Sequence, residues 1–83
     1  MIDQKTCRAI GNKDRLRLIL CLEKEKSVND LLKLCHLSQS ALSQHLKVLR
    51  DTNIVSTRRE GKKIFYQTKD KKFIAISKLL TKK

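Results

Sequence analysis

The stretch Ser38 to Arg50 (SQSALSQHLKVLR), with Ser27 to Leu37 (SVNDLLKLCHL) in front of it, narrows the folds open to this chain more than any other feature. At helical spacing Leu42, Leu46 and Leu49 fall on one face, and Ser40, Ser43, Gln44 and Lys47 on the other. The first face is built for burial. The second carries hydroxyls, an amide and an ammonium and no acidic group, a set that can meet base edges and phosphates in a DNA groove. Ser38 is a good N-cap, and the turn Cys35-His36-Leu37 joins its helix to an earlier one whose apolar positions are Val28, Leu31, Leu32 and Leu34. Ser27 followed three positions on by Asp30 resembles a capping box at the start of that earlier helix. Two helices separated by about four residues have the spacing of a helix-turn-helix. Here it would span about 27–50, with 38–50 as its recognition helix.

The rest of the chain supplies a small scaffold around that pair. Ile2 to Ile10 reads as a short first helix with Ile2, Thr6, Ala9 and Ile10 on one side, stopped by Gly11 in the left-handed position that follows many helix ends. Asn12 then caps a second helix, Lys13 to about Glu23, whose Leu16, Leu18, Ile19, Leu20, Cys21 and Leu22 make a stripe too wide for one face. That helix is expected to be central. Glu23 to Lys26 (EKEK) reads as a charged connector. After Asp51-Thr52-Asn53 the pattern turns β-branched at Ile54 to Thr57, and a second such run follows at Ile64 to Thr68. Between them lies Arg58-Arg59-Glu60-Gly61-Lys62-Lys63, with Gly61 supplying the positive φ a tight hairpin needs. This hairpin, about 54–68, has the form of a wing: Ile54, Ile64 and Tyr66 pack inward and the basic tip reaches a neighbouring groove or backbone. Basic residues also blunt exposed strand edges, so the tip has a structural reading beside the DNA one.

Asp70 caps a last helix from Lys71 to about Thr81, in which Phe73, Ile76 and Leu80, joined by Ile74 and Leu79, form an apolar stripe. The end helices, through Ile2, Thr6, Ile10, Phe73, Ile76 and Leu80, are assigned to a two-fold dimer interface; the alternative is that they fold back on their own core. The expected class is mainly α, an α+β winged helix-turn-helix of four helices, a two-stranded hairpin and a fifth helix. Val48, apolar near the outer face of the recognition helix, has no account at this level.

With 83 residues the chain is read as a single domain, 1–83, burying roughly 60–65% of the surface its unfolded form would expose. Its net charge of +12 is uneven: residues 56–83 hold ten basic and two acidic groups, hence +8 of the total. Such a field draws polyanions, nucleic acid before an anionic membrane surface; the bland alternative is a solvated lysine coat. Met1 to Cys7 has neither a basic start nor an apolar run, and the longest apolar run, Leu18 to Leu22, is too short to span a bilayer. A cytoplasmic protein is expected, and an odd count of three spaced cysteines agrees with a reducing compartment. With no carboxylate pair, no nucleophile beside an evident base, and only Gly11 and Gly61 in place of a glycine-rich loop, an enzyme is not expected.

Gly11 to Thr68 closely resembles the winged-helix regulators of the arsenic-resistance repressor (ArsR) family. Asp14-Arg15-Leu16, Leu37-Ser38-Gln39-Ser40, Ser43-Gln44-His45-Leu46-Lys47-Val48-Leu49 and the wing Arg59-Glu60-Gly61-Lys62 fall in family order, and the likeness covers 58 of the 83 residues. Leu20-Cys21, Ser27-Val28 and Ser38 to Leu46 look most like the branch of haemolysin and biofilm regulators that sense thiol chemistry rather than metals. The resemblance implies a homodimer, held by its first and last helices, that binds an imperfect palindrome in promoter DNA and represses or displaces another repressor.

The family's sensing sites do not carry over. Many members place Cys-x-Cys on the third helix, where this chain has Val28-Asn29-Asp30. Others use Asp and His on the last helix, but Lys71 to Lys83 holds no His, Cys or Glu, leaving Asp70 alone. In the thiol-sensing branch a cysteine at the position of Cys21 pairs with one on a longer last helix, which this chain is expected to lack. Cys21 is thus a candidate redox thiol without an evident partner. Nothing in the sequence places Cys7 or Cys35 within the roughly 4.4–6.8 Å Cα separation of a disulfide, and each cysteine is read as a small buried apolar residue. Cys35, His36 and His45 lie near the helix-turn-helix, but adjacent Cys and His do not easily point at one ion and no Cys-x-x-Cys or His-x-x-x-His spacing is present. No metal site and no cofactor are expected.

The function expected is a homodimeric, sequence-specific regulator of double-stranded DNA, a repressor in the simplest case. Gln39, Ser40, Ser43 and Gln44 would face bases, Gln being suited to a bidentate contact with adenine. Ser38, His45, Lys47, Arg58, Arg59, Lys62 and Lys63 would meet phosphates or the minor groove, with scaffold packing as the other reading of His45. Two copies would set recognition helices about 34 Å apart. The rivals are a sequence-indifferent architectural DNA-binding protein and a winged-helix module that binds protein instead.

Overall fold

The structure is a computed structural model that describes residues 3–81. Its elements run α1 (Gln4–Ile10), α2 (Lys13–Cys21), β1 (Lys26–Ser27), α3 (Val28–Leu34), α4 (Gln39–Asp51), β2 (Val55–Glu60), β3 (Lys63–Thr68) and α5 (Lys71–Thr81). This is the expected winged helix-turn-helix with one strand more than expected. Lys26 and Ser27 pair antiparallel with Tyr66 and Phe65, so the sheet has three strands in the order β1-β3-β2, and the charged connector is shorter than expected.

Each helix start has a side chain on its orphan amides. Asp3 accepts from the Thr6 amide, Asn12 from those of Asp14 and Arg15, and Ser38 from that of Ala41. Ser27 and Asp30 form the reciprocal capping box that opens α3. Asp70 accepts from the Lys72 amide at 2.9 Å as α5 begins.

The end of α1 differs from expectation. Gly11 has φ −80°, not a left-handed conformation. What needs glycine there is space, since a Cβ would stand 3.2 Å from the Cys7 carbonyl oxygen. The left-handed helix end lies after α4 instead, at Asn53 with φ 60°.

The central helix is α2. Leu18, Ile19 and Leu22 are fully buried, and α1, α4 and α5 all pack against it. Leu42, Leu46 and Leu49 enter the core from α4, Leu31 from α3, and Ile54, Val55 and Tyr66 from the wing. Two hydrogen bonds clamp the wing to α2: the Thr68 amide donates to the Leu22 carbonyl at 2.8 Å and the Thr68 hydroxyl to that of Ile19 at 2.9 Å. Val48 now has an account, being half-buried against the core in a groove shared with Ala9 of α1. No helix among the described residues is long and apolar enough to cross a membrane.

Candidate nucleic-acid interface

The outer face of α4 is open. Ser38, Gln39, Ser40, Ser43, Gln44 and Lys47 are all exposed, while the leucines of the opposite face are sealed in the core. The Ser38 hydroxyl accepts from the Ala41 amide at 3.1 Å, which ties it to the helix start and leaves its own proton to donate outward. No acidic side chain interrupts this face before Asp51 at the end of the helix.

His45 belongs elsewhere. Its side chain is 16% exposed and points towards α2, with Nδ1 3.3 Å from Arg15 Nη1 and Nε2 3.9 Å from Asp14. Arg15 also donates from Nε to the Ala9 carbonyl at 2.7 Å and from Nη2 to the Arg8 carbonyl at 3.1 Å, and its partial burial lowers its pKa. The Arg15 guanidinium can only donate, so Nδ1 of a neutral His45 is the acceptor in this pair. These contacts join the ends of α1 and α2 to the middle of α4. Of the two readings of His45, the structure shows the scaffold one.

The wing splits its cations into two groups. Arg58 lies against Glu25 in a bidentate pair, at 2.9 Å from Nε and 2.7 Å from Nη2, and donates from Nη1 to Glu60 at 2.7 Å. Its guanidinium also stands 4.7 Å from the centre of the Phe65 ring, the residue it faces across the hairpin. The hydrogen bond from Arg58 holds the Glu25 carboxyl below the usual carboxylate range, and Glu25 and then Glu60 raise the pKa of Arg58 in return. Arg58 thus ties the wing to the segment leading into β1, with half of its side chain still exposed. Arg59, Lys62 and Lys63 are exposed and have no ion-pair partner among the described residues. Gly61, at φ 63°, and Lys62 form the turn between paired Glu60 and Lys63. The tip is accordingly narrower than the six residues expected, because Arg58, Arg59, Glu60 and Lys63 belong to the strands.

The residues assigned to a dimer seam divide as well. Thr6 and Phe73 are covered by their own chain, at 9% and 7% exposure, so these two do not offer an outer surface. The face α5 turns inward is Phe73, Ile74 and Ser77, with Ser77 fully buried. Ile10 is half-buried against the core, and Ile76 is half-buried. Leu80 is 58% exposed and its neighbour Leu79 74%, a pair of large apolar side chains facing outward. Ile2 lies outside the described residues.

The cysteines correct a further expectation. Cys7 is exposed rather than buried, because it lies on the side of α1 opposite Thr6 and Ala9. Cys21 and Cys35 are half-buried and line the same pocket of about 360 Å³, and burial, followed by the nearby Cys21 thiol, pushes the Cys35 thiol pKa up. Leu20, Leu34 and Leu37 line this pocket, with Asp14, Arg17 and His36 also on its wall. Nothing in sequence spacing could announce that shared pocket, since it joins the last turn of α2 to the end of α3. Among the described residues no group of three or more His, Cys, Asp or Glu side chains is arranged to hold a metal ion.

Known proteins share this arrangement. The profile of the family described as bacterial regulatory protein, arsR family, matches residues 12–57. The chain is similar to the transcriptional activator HlyU of Vibrio cholerae, at 40% identity over 74 residues that make up 88% of this chain and 68% of that protein. It is 48% identical to the nodulation protein NolR of Rhizobium meliloti over 61 residues, 72% of this chain, and spans only 50% of that relative. Among solved structures, the transcriptional repressor BigR from Xylella fastidiosa matches with a TM-score of 0.82 at 36% identity, over 92% of this chain and 79% of that one.

Proposed function

This chain belongs to the arsR family of bacterial regulatory proteins, and from that premise we propose that two copies of it pair to read an imperfect palindrome in promoter DNA. Membership makes it a DNA-binding transcriptional regulator and not an enzyme. The observation that carries the finer reading is the exposed, acid-free face of α4 together with Arg59, Lys62 and Lys63 of the wing, exposed and without an ion-pair partner among the described residues. Gln39, Ser40, Ser43 and Gln44 read base edges in the major groove. Ser38, Lys47, Arg59, Lys62 and Lys63 hold phosphates or the adjacent minor groove. Arg58 and His45 serve these groups from behind, the first by fixing the wing and the second by fixing α4 to α2. Leu79, Leu80 and Ile76, with Ile10 at the side, cover one another in the two-fold pair.

The relatives include an activator and a repressor. Repression is the simpler outcome for this chain, because a dimer seated on a promoter excludes polymerase without needing a surface that recruits it. The regulator acts in the cytoplasm.

Competitive gel shifts on a selected operator and a scrambled duplex test the assignment. Gln44→Ala should weaken operator binding about tenfold, the worth of one good base contact, and leave scrambled DNA nearly unaffected. Lys62→Ala should weaken both duplexes alike, since a phosphate contact carries no sequence information. Identical behaviour of the two variants would remove the division between reading helix and anchoring wing. Loss of the discrete footprint to bulk competitor would instead indicate an architectural binder.

A further inference from the structure

We propose that the pocket between the last turn of α2 and the turn of the helix-turn-helix is a binding site for a small amphiphilic carboxylate, an apolar body that carries one anionic group. The site lies apart from the base-reading face of α4, and it does not rest on the DNA-reading function above.

Shape and lining suit such a molecule. The volume of about 360 Å³ falls at the small end of the range for ligand sites, which are mostly apolar with a few placed polar groups. Leu20 and Cys21 come from α2, and Leu34, Cys35 and Leu37 from the end of α3 and the turn after it. A free cysteine packs as a small apolar residue. The core side of α3 is taken by Leu31, which leaves Leu34 57% exposed at the edge of the pocket. An apolar chain laid against these side chains takes their surface out of water.

Charge selects the headgroup. Arg17 lines the pocket, is exposed, and has no ion-pair partner among the described residues. A guanidinium in that condition can donate two parallel hydrogen bonds to a carboxylate. His36, exposed on the same wall, offers a ring N–H in either neutral tautomer. The one acid of the lining, Asp14, already faces a donor: its Oδ2 is 3.9 Å from Nε2 of His45, which carries the ring proton because Nδ1 accepts from Arg15. Burial keeps Cys35 protonated, so no thiolate there opposes an anion. A cationic amphiphile would set its charge against Arg17, and a neutral one would leave Arg17 unanswered.

The place of the pocket in the fold gives the ligand a mechanical role. Cys35, His36 and Leu37 lead directly to Ser38, the cap of α4, while Gln39, Ser40, Ser43 and Gln44 do not line the pocket. A bound molecule therefore bridges α2 and the turn without covering the outer face of α4. By mass action it stabilises the folded chain, because the unfolded one has no such pocket.

Octanoate, octanol and octylammonium, kept below the concentrations at which they aggregate, are the probes, and the full-length protein at neutral pH is the target. Octanoate should shift the NMR signals of Leu20, Leu34 and Leu37 and raise the melting temperature as its concentration rises. It should bind about tenfold more tightly than either other probe, the worth of a hydrogen bond to a charged group. Arg17→Gln should bring octanoate to the level of octanol and leave octanol unchanged. Leu34→Glu, which sets a carboxylate at the edge of the pocket, should weaken octanoate more than octylammonium. Both positions are exposed, and circular dichroism checks that both variants fold. Equal affinity for the three probes overturns the proposal, as does an Arg17→Gln chain that binds octanoate like the parent. Shifts that gather at Leu79 and Leu80 instead of the pocket overturn the site. Binding that falls away as protein concentration rises would mean that a second copy covers the pocket, which also overturns it. None of these measurements involves DNA, so a failure of the DNA-reading function leaves their outcome untouched.

Discussion

Arg58 shows what a single residue gains from the fold. In sequence it is one of the basic residues of a hairpin, and charge alone groups it with Arg59, Lys62 and Lys63. Its partner Glu25 lies 33 positions back, and only the pairing of β1 with β3 brings the two together. The brace was therefore not legible in sequence, whereas the exposed face of α4 was, because helical spacing alone separates Gln44 and Lys47 from Leu42 and Leu46. The brace has a pH signature. The folded Glu25 carboxyl titrates below its ordinary value because Arg58 hydrogen-bonds its charged form. Its contribution to stability is complete above the ordinary carboxylate pKa, about 4.3, and is lost as pH falls through the lower folded value. Asp3 and Asp30 are also lowered, by backbone hydrogen bonds at the starts of α1 and α3, so the whole chain weakens in acid. Thermal melts across the acid range should show Glu25→Gln less stable than the parent at neutral pH and the two converging in acid. Parallel curves would mean that the tie to Arg58 contributes nothing.

At the scale of elements, local chemistry announced most of the architecture. Ser27 with Asp30, Asn12, Ser38 and Asp70 mark four helix starts, and each makes its capping bond. What escaped was β1, two residues inside a charged connector whose strand character comes from Phe65 and Tyr66 across the sheet and not from Lys26 or Ser27. The two glycines divide along the same line. The need at Gly61 is conformational and local, legible as a hairpin signal. The need at Gly11 is a close approach of the Cys7 carbonyl, which depends on how α1 ends. Between paired Glu60 and Lys63, positive φ occurs at Gly61 and not at Lys62, the pattern of a type II′ turn. No atom lies within 4 Å of a Cβ built on Gly61, so a substitution there meets strain without collision. Gly61→Ala should cost about 1–2 kcal/mol in urea unfolding, the penalty of a left-handed L-residue. Lys62→Ala, in the same turn at ordinary φ, should stay within about 0.5 kcal/mol of the parent. A Gly61→Ala chain as stable as the parent would show that the wing tip is not held in this turn.

In the proposed regulator the whole molecule joins reading to pairing. The pocket that Cys21 and Cys35 share, and the division of α5 into an inward face at Phe73, Ile74 and Ser77 and an outward one at Leu79 and Leu80, arise only when all the elements are packed. Amphipathic spacing showed that α5 has apolar residues on more than one side, but it could not say which side its own core would take. In the proposed pair each copy would offer Lys47, Arg59, Lys62 and Lys63 to phosphate, so two copies would neutralise about eight phosphates and log affinity should fall against log salt with a slope near −7. If Leu79 and Leu80 hold the dimer, replacing both with Glu in one chain places like charges across the two-fold and should yield a monomer by sedimentation. Their present exposure means that the fold itself should tolerate the change, which circular dichroism and thermal melting check. The monomer engages one half-site, so operator affinity should drop on the order of 100-fold, as expected when a linked second site is lost. The salt slope should fall to about half, since only about four phosphates remain in contact. Leu34→Glu, which charges an equally exposed leucine away from α5, should leave the dimer and both binding measures unchanged. A double variant that stays dimeric and keeps the full slope would place the two-fold contact elsewhere. Reduced affinity with an unreduced slope would mean that both half-sites are still engaged, and that the leucines shape the pair without holding it together.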